Sequence, residues 1–325
     1  MKKIIFNLIV VIVALSLNLE KIPAQAIQVD PKIPKYKKVM GISGNANSIG
    51  SDSMNNLMTL WLEAFKKIYP LVNIQIEGKG SSTAPPALVE GTAQFGPMSR
   101  AMKAKEIDGF ESKYGFKPTV VRTSLDALAV FVHKDNPLTC LSLEEIDAVF
   151  SKTRKRNFAN DVTVWNQLGL TGDWSNKPIS IFGRNAASGT YGFFKDHVLD
   201  KGDFKDNVKE QPGSASVVQG ITEDKFAIGY SGIGYKTSGV KSLALAEKKG
   251  GECFDGSYEN VITNHYPLSR YLYIYIVKNP TKPLDPLVKE FMKFVLSYEG
   301  QQIVIKDGYL PLTPEIVLEE LKNLE

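Results

Sequence analysis

Two periodicities take turns along this chain. Over 55–69, Leu57, Leu60, Trp61, Ala64, Phe65 and Ile68 recur at i, i+3 and i+4 spacing, which predicts an amphipathic helix. Residues 72–76 instead alternate apolar and polar at period two, the mark of a half-buried strand. The same reading predicts a strand at 38–42, with a polar loop running from there to Ser53. Further strands are expected at 95–98, 126–133 and 179–182, and a short helix at 143–150. Apolar runs at 217–221, 226–230 and 243–245 extend the same block. Residues 271–277, Tyr-Leu-Tyr-Ile-Tyr-Ile-Val, form the strongest strand signal, and 288–296 and 300–306 read as helices around a turn. Strands alternating with helices predict an α/β architecture. No repeat, low-complexity tract or proline-rich linker interrupts it, so lobes would be joined by short extended crossings.

The N-terminus changes the picture. Lys2 and Lys3 precede an apolar run, 4–19, broken only by Asn7, Ser16 and Asn18, and Ala24-Gln-Ala26 supplies a small-x-small pattern. That is the grammar of a cleaved export signal, with cleavage expected after Ala26. The run is short for a membrane span of about 20 residues, and no cysteine follows it for lipid attachment. A soluble periplasmic or secreted protein is therefore expected.

Formal net charge is +4, of which Lys2, Lys3, Lys21 and Glu20 supply +2. So small an excess argues against nucleic acid as a partner, and any anion selectivity must be local. Cys140 and Cys253 lie far apart, with no CxxC and no adjacent histidine. A metal is not expected. In an oxidising compartment the pair is expected to form one disulfide, two buried thiols being the alternative.

Three segments share one design, a Gly/Ser/Thr turn leading into a helix: 50–53, 80–83 and 184–190. Each offers free backbone amides and a hydroxyl at the positive end of a helix, a means of holding phosphate or sulfate without a metal. One such turn alone is more often a simple cap. Three in one exported α/β chain point to a shared oxyanion site. Arg184 ends an apolar strand four residues before Ser188, where its planar fork could take two oxygens at once.

At these residues the chain resembles the phosphate-binding proteins of bacterial phosphate ABC transporters. The segment 183–191, Gly-Arg-Asn-Ala-Ala-Ser-Gly-Thr-Tyr, is similar to that family's phosphate loop. Residues 50–54 resemble its first loop and Gly80-Ser81 its second, and 228–231, 266–275, 299–304 and 308–312 match other hallmarks. The resemblance implies anion contacts at Ser53, Met54 (through its amide), Ser81, Arg184, Ser188, Gly189 and Thr190. It also implies a type II periplasmic-binding-protein fold of two α/β lobes, each a mixed sheet flanked by helices, with ligand between them. The expected division is 27–124 with 265–325 as one lobe and 125–264 as the other.

Two positions depart from the family. Ser99 stands where an aspartate usually accepts the phosphate proton, and Ala186 where an acid pairs with the loop arginine. Asp52, beside Ser53, and then Asp126 are the candidates for a relocated acceptor.

An enzyme would need a nucleophile, a base and an orienting group. His133, His197 and His265 fall in no catalytic motif, and no Gly-x-Ser-x-Gly elbow or Walker loop occurs. The expectation is a monomeric, cofactor-free binding protein that captures inorganic phosphate and delivers it to the membrane subunits of an ABC importer. Capture of another tetrahedral oxyanion, sulfate or arsenate, and a phosphate-sensing or adhesion role are the alternatives.

Overall fold

The structure, a computed structural model, describes residues 27–325; the expected export signal lies outside the described residues. Strand β1 (Gly44–Ile49) pairs in parallel with β2 (Val72–Glu77), and α1 (Asn55–Ile68) connects them. Helix α1 buries Leu57, Met58, Trp61 and Phe65, the stripe its periodicity predicts. The strand expected at 38–42 does not form. Val39 and Met40 are 39% and 89% exposed, so that apolar run has nothing to pack on. The polar stretch after it supplies β1 instead, because Ala46 and Ser48 are small enough to fill the inward positions.

Helix α2 (Ala84–Glu90), β3 (Gly96–Met98) and α3 (Ala104–Tyr114) lead into β4 (Thr119–His133). At 15 residues β4 is far longer than the strand expected at 126–133. It is the spine of a seven-stranded mixed sheet ordered β3-β11-β4-β8-β6-β7, with the seventh strand, β9, also on β4. Its first part pairs antiparallel with β11 (Ser269–Ile276) from Thr119 to Ala127. Its second part pairs with β8 (Ala227–Gly232) and β9 (Val240–Ser242). Strand β6 (Ser180–Arg184) lies parallel to both β8 and β7 (Lys209–Gln211).

Helices α5 (Gly189–His197) and α6 (Ser214–Glu223) follow β6 and β7 in the chain. The apolar run at 217–221 lies inside α6, burying Val217, Val218 and Ile221. Strand β5 (Cys140–Ser142) precedes α4 (Leu143–Phe150) and pairs with β10 (Ala244–Ala246). The expected Cys140–Cys253 disulfide is formed, with Cα atoms 6.2 Å apart. After α7 (Tyr258–Ile262) the chain re-enters the sheet as β11, whose Tyr271 and Tyr273 are half-buried as period-two sheet predicts. Helices α8 (Pro286–Val295), α9 (Tyr298–Lys306) and α10 (Pro314–Asn323) close the fold. Among the described residues no helix is long and apolar enough to cross a membrane.

Candidate anion site

The three turns meet. In the first, Gly50 donates to Glu77 O (2.9 Å) and Ser51 to Pro97 O (2.7 Å), pinning the loop between β2 and β3. A Cβ at Gly50 would overlap Pro97 O, so no other residue fits there. Tyr309 and Tyr235 donate their hydroxyls to Ser53 O and Asp52 O, at 2.7 and 3.0 Å. This leaves the buried Ser53 Oγ 2.9 Å from Thr190 Oγ1. The Met54 amide is spent within the turn, donating to Ser51 O at 3.3 Å.

In the second turn Gly80 adopts a φ of +117°, a left-handed conformation that glycine tolerates. It brings Ser81 Oγ to the Ser99 amide (3.0 Å) and to Ser99 Oγ (3.3 Å). In the third, Ser188 Oγ caps α5, accepting from the Thr190 and Tyr191 amides at 3.1 and 3.3 Å. Gly189 packs so closely on Ser81 and Ser99 that a Cβ would collide with both hydroxyls. Thr190 Oγ1 also lies 3.4 Å from Ser99 Oγ. Ser53, Ser81, Ser99 and Thr190 thus form one chain of buried hydroxyls, while Ser188 stands one step behind it as a cap.

Two buried guanidiniums border this chain. Arg184 is 1% exposed. Its Nη1 donates to Ser214 Oγ (2.6 Å) and its Nη2 to Pro212 O (3.0 Å), with Asp52 Oδ2 at 3.2 Å. Burial pushes this guanidinium below its ordinary value and the Asp52 carboxylate works against that; an arginine so placed stays charged. Asp52 therefore supplies, from another loop, the acidic partner that Ala186 does not. Its Oδ2 also accepts the Ser214 amide at 2.8 Å.

Arg270 donates Nε to Asp126 Oδ2 (2.8 Å), Nη1 to Ser99 O (2.9 Å) and Nη2 to Thr190 Oγ1 (3.1 Å). Asp126, fully buried, accepts the Ile233 amide on its other oxygen at 3.0 Å. The two face each other in the β4–β11 register. Asp126 thus sits in mid-strand against Arg270, not at a strand opening. Arg100, next to Ser99, is occupied elsewhere by Glu106 at 2.7 Å.

Sequence reasoning missed Ser214 and Arg270. Gly213-Ser214 is a fourth glycine–serine turn opening a helix, and Arg270 lay in plain view within the 266–275 run. The arrangement can give many hydrogen bonds to an anion. It holds no nucleophile–base pair: none of the three histidines hydrogen-bonds to this cluster, and His197 instead stacks on Phe193, ring centres 4.1 Å apart.

Comparison with known proteins bears on this geometry. A family model described as a PBP superfamily domain matches residues 41–299. The phosphate-binding protein PstS of Pseudomonas aeruginosa is 56% identical over 296 residues, covering 91% of this chain and 92% of that protein. The PstS of Staphylococcus haemolyticus is 26% identical over 289 residues, 87% of this chain and 86% of that one. Among solved structures, a Clostridium perfringens protein assigned as a phosphate ABC transporter substrate-binding protein, with bound phosphate, superposes with a TM-score of 0.70. It is 26% identical, and the match covers 83% of this chain and all (100%) of that one. An ABC-type phosphate transport receptor from Vibrio cholerae shares the fold at a TM-score of 0.63 and 21% identity, over 82% of this chain and 100% of its own.

Proposed function

The chain belongs to the phosphate-binding-protein family of the PBP superfamily, and from that membership we propose that it captures inorganic phosphate and hands it to the membrane subunits of an ABC importer. It is a two-lobed α/β binding protein of the type II periplasmic class, not an enzyme. The observation that carries the phosphate reading is the buried chain of Ser53, Ser81, Ser99 and Thr190 hydroxyls, each within 3.4 Å of its neighbour and flanked by Arg184 and Arg270. Buried polar groups are retained when something needs their bonds, and donors in this density suit an ion with four oxygens.

In this reading 27–124 with 265–325 form one lobe and 125–264 the other. Ser53, Ser81 and Ser99 act from the first, and Arg184, Ser188, Gly189 and Thr190 from the second. Anion held by both lobes favours the closed form through contacts the open form lacks. The protein works as an exported monomer, freed of 1–26. Titration calorimetry against phosphate, sulfate, arsenate and molybdate tests the reading. Tight phosphate binding is expected, and no heat with phosphate would overturn it.

A second reading, a broader tetrahedral-oxyanion binder, draws on one observation. Asp52 and Asp126 are each paired with an arginine, which offsets the negative charge that would exclude sulfate. The same titrations separate the two.

A further inference from the structure

We propose that Ser214, at the N-terminus of α6, is a direct anion contact, a fourth turn added to the three described above. This deepens the phosphate-capture reading and rests on it. Ser214 is fully buried at 0% exposure. Its Oγ lies 2.6 Å from Arg184 Nη1 and 3.4 Å from Ser53 Oγ, so it continues the hydroxyl chain toward the guanidinium.

The roles on that hydroxyl follow from the chemistry of its neighbours. A guanidinium can only donate, so Ser214 Oγ accepts from Arg184 and its own proton must be given elsewhere. The sole acceptor in reach is Ser53 Oγ, at a long 3.4 Å, and Ser53 is already engaged with Thr190 at 2.9 Å. The Ser214 proton is therefore underused and points the charge of Arg184 into the hydroxyl chain. A hydroxyl that accepts a charge-assisted bond is a better donor onward.

Two further observations point to a ligand here. Arg184 Nε is buried without a hydrogen-bond partner, so the same guanidinium keeps a donor in reserve. The start of α6 is also held in place: the Ser214 amide is fixed on Asp52 at 2.8 Å, and Gly213 leaves that carboxylate room, since a Cβ would come within 3.2 Å of it. Helix α6, 10 residues long, adds the positive end of its dipole. Ser214 is thus a donor, whereas telling phosphate from sulfate requires an acceptor.

The test is calorimetry with inorganic phosphate on the full exported chain. Ser214→Ala should weaken binding about 10- to 100-fold, the loss of one hydrogen bond to a charged group. Ser214→Thr, which keeps the hydroxyl, should recover part of it. Ser216→Ala, two residues along the same helix, should bind like wild type. The decisive arm is an Arg184→Ala background. A direct contact still loses several-fold there when Ser214→Ala is added. No further loss would mean that Ser214 only holds Arg184, and would overturn the proposal, as would wild-type affinity in Ser214→Ala with an unchanged melting temperature. If the wild-type protein itself binds no phosphate, the capture reading falls first and this one with it.

Discussion

The Asp52 carboxylate reaches out of the first anion loop to within 3.2 Å of Arg184 Nη2, and the oxygen that does so is the one that also accepts the Ser214 amide. A single oxygen thus serves both partners. Asp52→Asn can therefore keep both contacts through its amide oxygen while losing the charge. Sulfate at neutral pH has no proton to offer a carboxylate and is repelled by one, whereas phosphate can donate. Asp52→Asn should narrow the preference for phosphate over sulfate several-fold in paired titrations. If neither it nor Asp126→Asn changes that ratio, the phosphate proton is accepted by Ser99 or by a backbone carbonyl.

Arg184 offers the clearest loss. Removing a buried, charge-assisted donor fork should weaken phosphate binding by about 3 kcal/mol in Arg184→Ala. Arg184→Lys should recover only part, because an ammonium cannot present a planar pair of donors. Isothermal titration measures both, and undiminished affinity in the alanine variant would remove Arg184 from the site.

The disulfide closes a loop with a sequence separation of 113 and joins β5 to the segment beyond β10. Chain-entropy arguments put its contribution at up to about 4–5 kcal/mol, acting through the unfolded state. Replacing both cysteines by serine should lower the urea midpoint markedly and leave phosphate affinity at 25 °C nearly unchanged. An unmoved midpoint would refute the stabilising role.

Asp307, at the end of α9, supplies a pH signature. Burial raises its carboxyl to about 6, against the opposing hydrogen bond from Asn56. A folded value above the unfolded one means that the folded state holds its proton more tightly. Its ionisation therefore costs stability as pH rises from about 4 through 6, and the cost is complete above that. Asp307→Asn should raise the melting temperature at pH 7.5 and have little effect at pH 4. Equal shifts at both would show that ionisation is not the cause.

Much of this was legible in the sequence, and what was not has a common cause. Helices α1 and α4 and strand β11 were readable because their own side chains carry the period. The early part of β4 was not, because Arg122, Thr123 and Ser124 break its apolar run. Two of those polar groups are tolerated through distant partners, Arg122 pairing with Glu319 and Glu320 on α10 and Thr123 with Leu272 O and Gln301, while Ser124 Oγ is buried without a hydrogen-bond partner. The site divides likewise. Arg184 and Ser188 to Thr190 stand together in one motif and could be read as a unit. Asp52 acquires its arginine, and Arg270 its aspartate, only when strands and loops from remote parts of the chain are laid side by side.

The long β4–β11 ladder has a mechanical consequence. If the two lobes divide where proposed, one of the two crossings runs inside β4 itself, where Leu125, Asp126 and Ala127 are laced to Tyr271, Arg270 and Ser269 as a hydrogen-bonded ribbon. A ribbon of this kind bends like a leaf spring rather than swivelling like a ball joint. Its flexure is spread over many bonds, confined largely to one plane, and self-returning once the load is released. Capture and release would then differ by a small, directed excursion.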